Sequence, residues 1–403
     1  MLELKDFEAA ADRLKNVIHN IPLSTSATFS AMTGAEVYLK YENQQKTGSF
    51  KVRGAYNKIM KRYAEGDLHA VVASSAGNHA QGVAFAASSV GVKSTIVMPR
   101  STPIAKVSAT QGYGADVVLA GNIYDEAYAK ACEICEETGA EFIHPFDDED
   151  VMAGQGTIAL EILRDLPFVD MIFVPAGGGG LISGVAACAK QINPRIQIIG
   201  VQAEGAPAIA NSFRAGERMP SDSVHTIADG IAVKTPGEKT FEYIQKYVDR
   251  VVTVSDDEIA SAVLLLLERC KQVVETSGAA PLAAVLNNKV DVKGKKVVCV
   301  LSGGNIDVSF IHKIVEKGLI TRCRQLKFSV LMPDAPGALE HFSHIVAQQN
   351  ANIILFQHDR VQTDLEIGEA IIHVVCELGG VDHAKRLIDT LGREGYRVFT
   401  SQI

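Results

Sequence analysis

The sequence predicts an α/β protein, with two packed α/β lobes over residues 1–320 and a smaller βαββαβ module over 321–403. Three observations carry this expectation. Short runs rich in Val and Ile alternate with longer amphipathic stretches, the pattern of βαβ units and mostly parallel sheets. Glycine-rich loops follow several of those runs. Around residues 318–325 the texture changes, and a strand–helix–strand–strand–helix–strand order occupies the last 80 residues or so.

The segments EVYLKYE (36–42), HAVVASS (69–75), KSTIVMP (93–99), ADVVLAG (115–121), MIFVPAG (171–177), IQIIGVQA (196–203) and KKVVCVLSG (295–303) read as strands. Their density of branched apolar residues suits strands buried on both faces. NHAQGVAFAASSVG (78–91) and DEAYAKACEICEETG (125–139) read as helices between them. These units exceed one small sheet, so two lobes are expected, the smaller at roughly 50–150. In the tail, LKFSVLMP (326–333), NIILFQHDR (352–360), EAIIHVVCEL (369–378) and YRVFTSQI (396–403) read as strands. Helices are expected in DAPGALEHFSHIVAQQ (334–349) and VDHAKRLIDTLGREG (381–395), completing the ferredoxin-like plan.

Composition narrows the function. A chain of 403 residues with 47% hydrophobic side chains buries a large core. Its formal charge of −8, with no sustained basic run, argues against nucleic acid or an anionic membrane as a partner. The apolar run Ala262–Leu267 is far short of the roughly 20 residues a membrane span needs. MLELKDFEAA lacks the order of a secretory signal, so a cytoplasmic protein is expected. Seven scattered cysteines are no disulfide framework, and the Cys132/Cys135 pair lies in a helical stretch with no second pair to complete a zinc site.

The chemistry lies in four segments. PAGGGGLISG (175–184) follows a strand and opens a helix, with four consecutive glycines, Gly177–Gly180. One glycine would serve a tight turn; four suit close approach of backbone donors to an anion. The spacing is neither a dinucleotide fingerprint nor a P-loop, so a single phosphate on a compact cofactor fits best. SSAGNHAQG (74–82) offers Ser74, Ser75 and Asn78 beside backbone donors, a set able to hold a carboxylate. Ser75 also reads as a helix cap, and His79 as a packed, hydrogen-bonded ring. LSGGN (301–305) places Ser302 at the carboxyl end of a strand, where α/β sheets deliver functional groups. KTGSFKVRGA (46–55) carries Lys51, either a solvated helix lysine or the residue that does the chemistry, and Arg53, which reads as a salt-bridging or packing residue.

Together SFKVRGA, SSAGNHAQG, GGGGLISG and LSGGN resemble the fold-type II, tryptophan-synthase-β-like pyridoxal-phosphate enzymes, and most specifically the threonine dehydratases (threonine ammonia-lyases). DAPGAL (334–339) resembles the first turn of an ACT domain. The resemblance implies pyridoxal 5′-phosphate linked covalently to Lys51, with Phe50 beside its ring. It implies Gly177, Gly178, Gly179, Gly180 and Leu181 around the phosphate, Asn78 on the ring hydroxyl, Ser302 at the pyridine nitrogen and Gly230 near ring and substrate. Ser75, Gly77 and His79 would line the substrate-carboxylate loop.

The activity so implied is that of a carbon–nitrogen lyase: α,β-elimination from L-threonine to 2-oxobutanoate and ammonia, and from L-serine to pyruvate. Lys51, freed by the substrate amine, would remove the α-proton, and the β-hydroxyl would leave as water. A neutral Ser302 makes a weaker electron sink than an aspartate would, which suits elimination. Serine racemase and serine dehydratase share the scaffold, but racemases of this type carry a serine where this chain has Ala76. Cysteine synthase and threonine synthase read differently at the lysine loop or want a second phosphate site. A purely ligand-binding protein would not need Lys51 with its phosphate loop.

The C-terminal module implies an amino-acid effector held by Asp334, Pro336, Gly337, Asn352 and Ile353 at an interface. Isoleucine inhibition with valine relief, as in isoleucine biosynthesis, and an insensitive enzyme both fit. Homo-oligomerisation as dimer or tetramer is implied. Some relatives hold a divalent ion near VQAEGAPAIA (201–210); here Glu204 and Ala208 match, but Ala210 replaces the second acid, so a complete divalent site is not expected and a monovalent cation held mainly by carbonyls fits better.

Overall fold

The computed structural model describes residues 1–66, 68–360 and 366–400, in two compact units, Met1–Ile306 and Asp307–Ile403. The strands of the first unit are β1 (Ser24–Thr25), β2 (Glu36–Tyr41), β3 (Ala70–Ser74), β4 (Lys93–Met98), β5 (Asp116–Leu119), β6 (Glu141–Phe142), β7 (Met171–Pro175), β8 (Gln197–Ala203), β9 (Arg250–Val254) and β10 (Lys296–Leu301). They form two sheets, ordered β1-β2-β10-β7-β8-β9 and β5-β4-β3-β6. Every pairing is parallel except β1 on β2. The chain leaves the large sheet after β2, builds the small sheet and returns at β7, so the larger lobe is discontinuous in sequence.

Burial explains the composition. All five residues of β7 and six of the seven in β8 are buried, as strands covered on both faces must be. The helices Glu149–Asp165 and Gly180–Ile192 lie over the large sheet in backbone contact: a Cβ on Gly184 would meet the Met152 carbonyl at 2.2 Å. The helix Lys51–Ala64 is also approached closely on both sides. A Cβ on Gly54 would come 2.7 Å from the Val151 carbonyl, and one on Gly82 would come 3.1 Å from the Lys51 carbonyl carbon.

Arg53, on that same helix, is the buried salt-bridging residue. It reaches both oxygens of Glu42 at 2.8 Å, those of Glu161 at 2.7 and 2.9 Å, and Thr157 at 3.0 Å. Burial opposes its charge, but the two carboxylates outweigh that and raise its pKa. Lys40 donates to Glu161 at 2.6 Å and closes the network.

The second unit holds a helix, Val308–Thr321, then β11 (Gln325–Pro333), β12 (Asn352–Asp359), β13 (Glu369–Glu377) and β14 (Arg397–Phe399). Its antiparallel sheet, ordered β12-β13-β11-β14, packs the helices Ala338–Gln348 and Val381–Arg393 through Phe342, Ile345, Leu387 and Leu391. This is the expected βαββαβ order. The last residues of YRVFTSQI, 401–403, lie outside the described residues. Among the described residues no helix is long and apolar enough to cross a membrane.

Candidate functional site

The loops after β3, β7 and β10 converge with the start of the helix Lys51–Ala64 on a cavity of about 1250 Å³. Phe50, Lys51, Ser75, Gly77, Asn78, His79, Gly177, Gly178, Gly179, Gly180, Leu181, Gly230 and Ser302 all line it.

Lys51 is placed by a backbone clip. The Phe50 amide donates to the Ser302 carbonyl at 3.0 Å, the Gly304 amide to the Gly48 carbonyl at 2.9 Å, and Ser49 bridges Gly303. The Lys51 Nζ donates to the Pro145 carbonyl at 2.7 Å and lies 5.3 Å from the Phe50 ring centroid. Burial lowers its pKa to about 8, against the opposing charge of Glu275. At neutral pH a usable fraction of this amine is unprotonated, as a nucleophile or base requires.

The glycine loop is shaped by its neighbours. Cβ atoms on Gly178 and Gly180 would strike Phe146 at 2.4 and 2.8 Å, and one on Gly177 would meet Ile231 at 2.9 Å. Gly179 adopts φ +103°, open to few residues but glycine. The glycines thus admit protein backbone and side chain close by, while the helix start at Gly180 presents amides suited to a phosphate.

In the loop after β3, Asn78 opens the helix Asn78–Ser89 and donates through Nδ2 to Glu275 Oε1 and Oε2 at 3.0 and 2.9 Å. Ser75 does not cap this helix: its hydroxyl accepts from the Gly77 amide at 3.2 Å, and Gly77 is the capping residue. His79 Nε2 donates to the Ile143 carbonyl at 2.8 Å. Burial, helped by Lys51, lowers the pKa of this ring to about 3 and keeps it neutral. Ala76 also lines the cavity.

Glu275 escaped the sequence reading. It precedes the apolar helix Thr276–Leu286 and looks like an ordinary acidic cap, yet its side chain caps nothing and turns into the cavity at 8% exposure. Burial raises its pKa to about 7, against hydrogen bonds from Asn78 and the Asn305 backbone and the charges of Lys51 and Lys106. His144, Lys106, Tyr124 and Tyr128 on the cavity wall were missed as well. An acid leading an apolar, Gly- and Ala-rich helix was the available signal for Glu275; the others sit in segments with no distinguishing pattern.

The five expected effector residues do not gather in one copy of the chain. Asp334 and Gly337 follow the end of β11 that pairs Pro333 with Glu369, whereas Asn352 pairs with Glu377 at the other end of β13, roughly 25 Å away along the strand. Ile353 pairs with Cys376 beside it. Pro336 lies in the β11–helix turn, Gly337 adopts φ +87°, and Asp334 pairs with Arg360 at 3.2 Å. Glu204 faces an internal ammonium, Lys289 Nζ, at 3.8 Å, and Ala208 begins the helix Ala208–Ala215. Among the described residues no three His, Cys, Asp or Glu side chains group as metal ligands.

Residues 14–303 match the family described as pyridoxal-phosphate dependent enzymes, and the chain belongs to that family. Over 398 residues it is 50% identical to the L-threonine ammonia-lyase of Thermotoga maritima, covering 99% of each chain. The processed form of threonine deaminase isoform 2 from Solanum lycopersicum superposes with a TM-score of 0.74 at 40% identity, covering 78% of this chain and 94% of that one. The serine racemase of Dictyostelium discoideum does so with a TM-score of 0.72 at 39% identity, covering 76% and 99%. The architecture is fold-type II followed by an ACT-like unit, and the cofactor is pyridoxal phosphate.

The cavity fits that cofactor. Among the described residues the Ser74 and Ser277 hydroxyls are buried there without a hydrogen-bond partner. An amine with a lowered pKa faces an aldehyde's needs, and a glycine-walled helix start faces a phosphate's.

Proposed function

We propose that this chain catalyses α,β-elimination from L-threonine, giving 2-oxobutanoate and ammonia, and from L-serine, giving pyruvate. The observation that carries the reading is the Lys51 amine, enclosed, lowered to about 8 and aimed into the cavity that the glycine loop walls. The full-length likeness to a protein named L-threonine ammonia-lyase supports it.

When bound, pyridoxal phosphate supplies an electron sink for the bond broken at the substrate's α-carbon. Lys51 holds the cofactor, and its freed Nζ takes the α-proton. Gly177–Gly180 and Leu181 hold the phosphate end through backbone amides, and Phe50 flanks the ring. Asn78 faces the ring hydroxyl, Ser302 offers the ring nitrogen a neutral hydroxyl, and Gly230 passes backbone close to ring and substrate. Ser75, Gly77 and His79 border the substrate carboxylate, His79 as a neutral ring that leaves this negative charge to backbone amides.

Elimination is favoured over racemisation because Ala76 turns a methyl to the cavity where a proton donor for the opposite face would stand. Incubation with each amino acid, followed by 2-oxo-acid assay and chiral analysis of recovered serine, tests the choice. Oxo acid with no D-serine is expected; D-serine without oxo acid would overturn it.

The C-terminal unit is an amino-acid effector module, and the distance between Asp334 and Asn352 within one copy supports a site shared between copies of a dimer or tetramer. The edge strand β12 exposes Ile354, Leu355 and Phe356, which suits such an assembly. Seven free thiols fit a cytoplasmic setting.

A further inference from the structure

Asn78 and Glu275 come from different lobes, Asn78 from the loop after β3 in the small sheet and Glu275 from the helix Thr276–Leu286 beside the large one. The Glu275 carboxylate is wedged in place. Its own amide donates to the Gly303 carbonyl at 2.9 Å, and a Cβ on Gly303 would come 2.5 Å from Oε1. It lines the same cavity as Lys51 and Asn78. No step of the elimination above uses it.

An asparagine amide has two faces of nearly the same shape, one donating and one accepting, and its surroundings decide which points where. Above its pKa of about 7 the Glu275 carboxylate is ionised and acceptor-only. With both Glu275 oxygens at 2.9–3.0 Å from Nδ2, the reversed amide would set Oδ1 against two acceptors. One Nδ2–H is spent on Glu275, and the second remains as a donor. The buried Oδ1 has no partner among the described residues, so nothing else holds the amide in this sense.

We propose that Glu275 is a positioning residue: its carboxylate fixes the flip of the Asn78 amide, so that Asn78 presents an N–H, and not a carbonyl oxygen, to the ring hydroxyl of pyridoxal phosphate. The proposal rests on the reading of Asn78 as a cofactor contact. Glu275 acts through Asn78 and moves no proton itself.

A double-mutant cycle on the apoenzyme tests it, with the dissociation constant for added pyridoxal phosphate and the absorption maximum of the bound cofactor as readouts. N78A weakens binding roughly tenfold, the worth of one charge-assisted hydrogen bond. E275Q, nearly isosteric but able to pair with either amide face, weakens binding roughly threefold or more in the wild-type background and moves the absorption maximum in the same direction as N78A. In the N78A background E275Q has no further effect on either readout. Equal effects of E275Q in both backgrounds, or none in the wild type, overturn the proposal. An unchanged dissociation constant in N78A overturns the Asn78 contact itself, a separate failure. Circular dichroism of each apoenzyme checks folding. If E275Q does not fold, E275D replaces it: the shorter arm withdraws the acceptor from Asn78, with the same loss of effect expected in N78A.

Discussion

The Phe50 amide donates to the Ser302 carbonyl at 3.0 Å, and this one hydrogen bond brings together two segments that lie at opposite ends of the catalytic sequence. It makes the start of the Lys51 helix an extra antiparallel partner of the loop leaving β10. The register of the reactive amine is thus tied by backbone to the large sheet, although its helix packs Ala55 and Ile59 into the core of the small one.

The lowered pKa of Lys51 has a stability consequence. Its value falls from 10.5 to about 8, so between those pH values the folded apoenzyme binds fewer protons than the unfolded chain. Stability contributed by this group therefore rises with pH across that window and is lowest below pH 8. Lys51→Met, which removes the buried charge, raises the apoenzyme Tm at pH 7 and loses that advantage as pH approaches 10.5. Thermal melts of both apoenzymes across this range check it; a gap independent of pH contradicts it.

Gly178 meets the Phe146 ring so closely that a methyl group has no room. Gly178→Ala forces the ring or the loop aside, at about 1–3 kcal/mol of stability. Because the displaced loop walls the cavity, weaker pyridoxal-phosphate binding accompanies the loss. Urea unfolding and equilibrium dialysis measure the two effects.

Arg53 is the sole cation bonded to Glu42, which is fully buried, among the described residues. Arg53→Met leaves that carboxylate buried and uncompensated, with an expected loss of about 3–5 kcal/mol. Arg53→Lys recovers only part of this, since an ammonium cannot span two carboxylates with a planar fork. Denaturant melts of the three proteins give the comparison.

Ala76→Ser puts a hydroxyl on the cavity wall. D-serine then appears from L-serine beside pyruvate, while the wild type gives pyruvate alone. Chiral chromatography of the reaction mixture detects it, and a variant with no D-serine would show that a hydroxyl at this position is insufficient.

The site was legible where a single loop carries its own meaning. Gly177–Gly180 and Ser302 could be found because strand-end loops announce themselves in residue type, and Lys51 because its segment joins them. Glu275 was not legible, because its partner Asn78 comes from another lobe and the residue passes for a cap. The short strands β1 and β6 are too brief to show a period, and β9, flanked by charge, went unassigned. Asp334 and Asn352 flank one helix in the sequence, and only the strand directions show that they lie at opposite ends of the sheet.

Turnover of L-threonine by the cofactor-loaded enzyme beside Lys51→Ala, with 2-oxobutanoate and ammonia both measured, tests the central claim most directly. Equimolar oxo acid and ammonia from the wild type, lowered roughly 10³-fold or more in the variant, is the expected result. Turnover undiminished in Lys51→Ala, or cofactor bound with no oxo acid released, would contradict it.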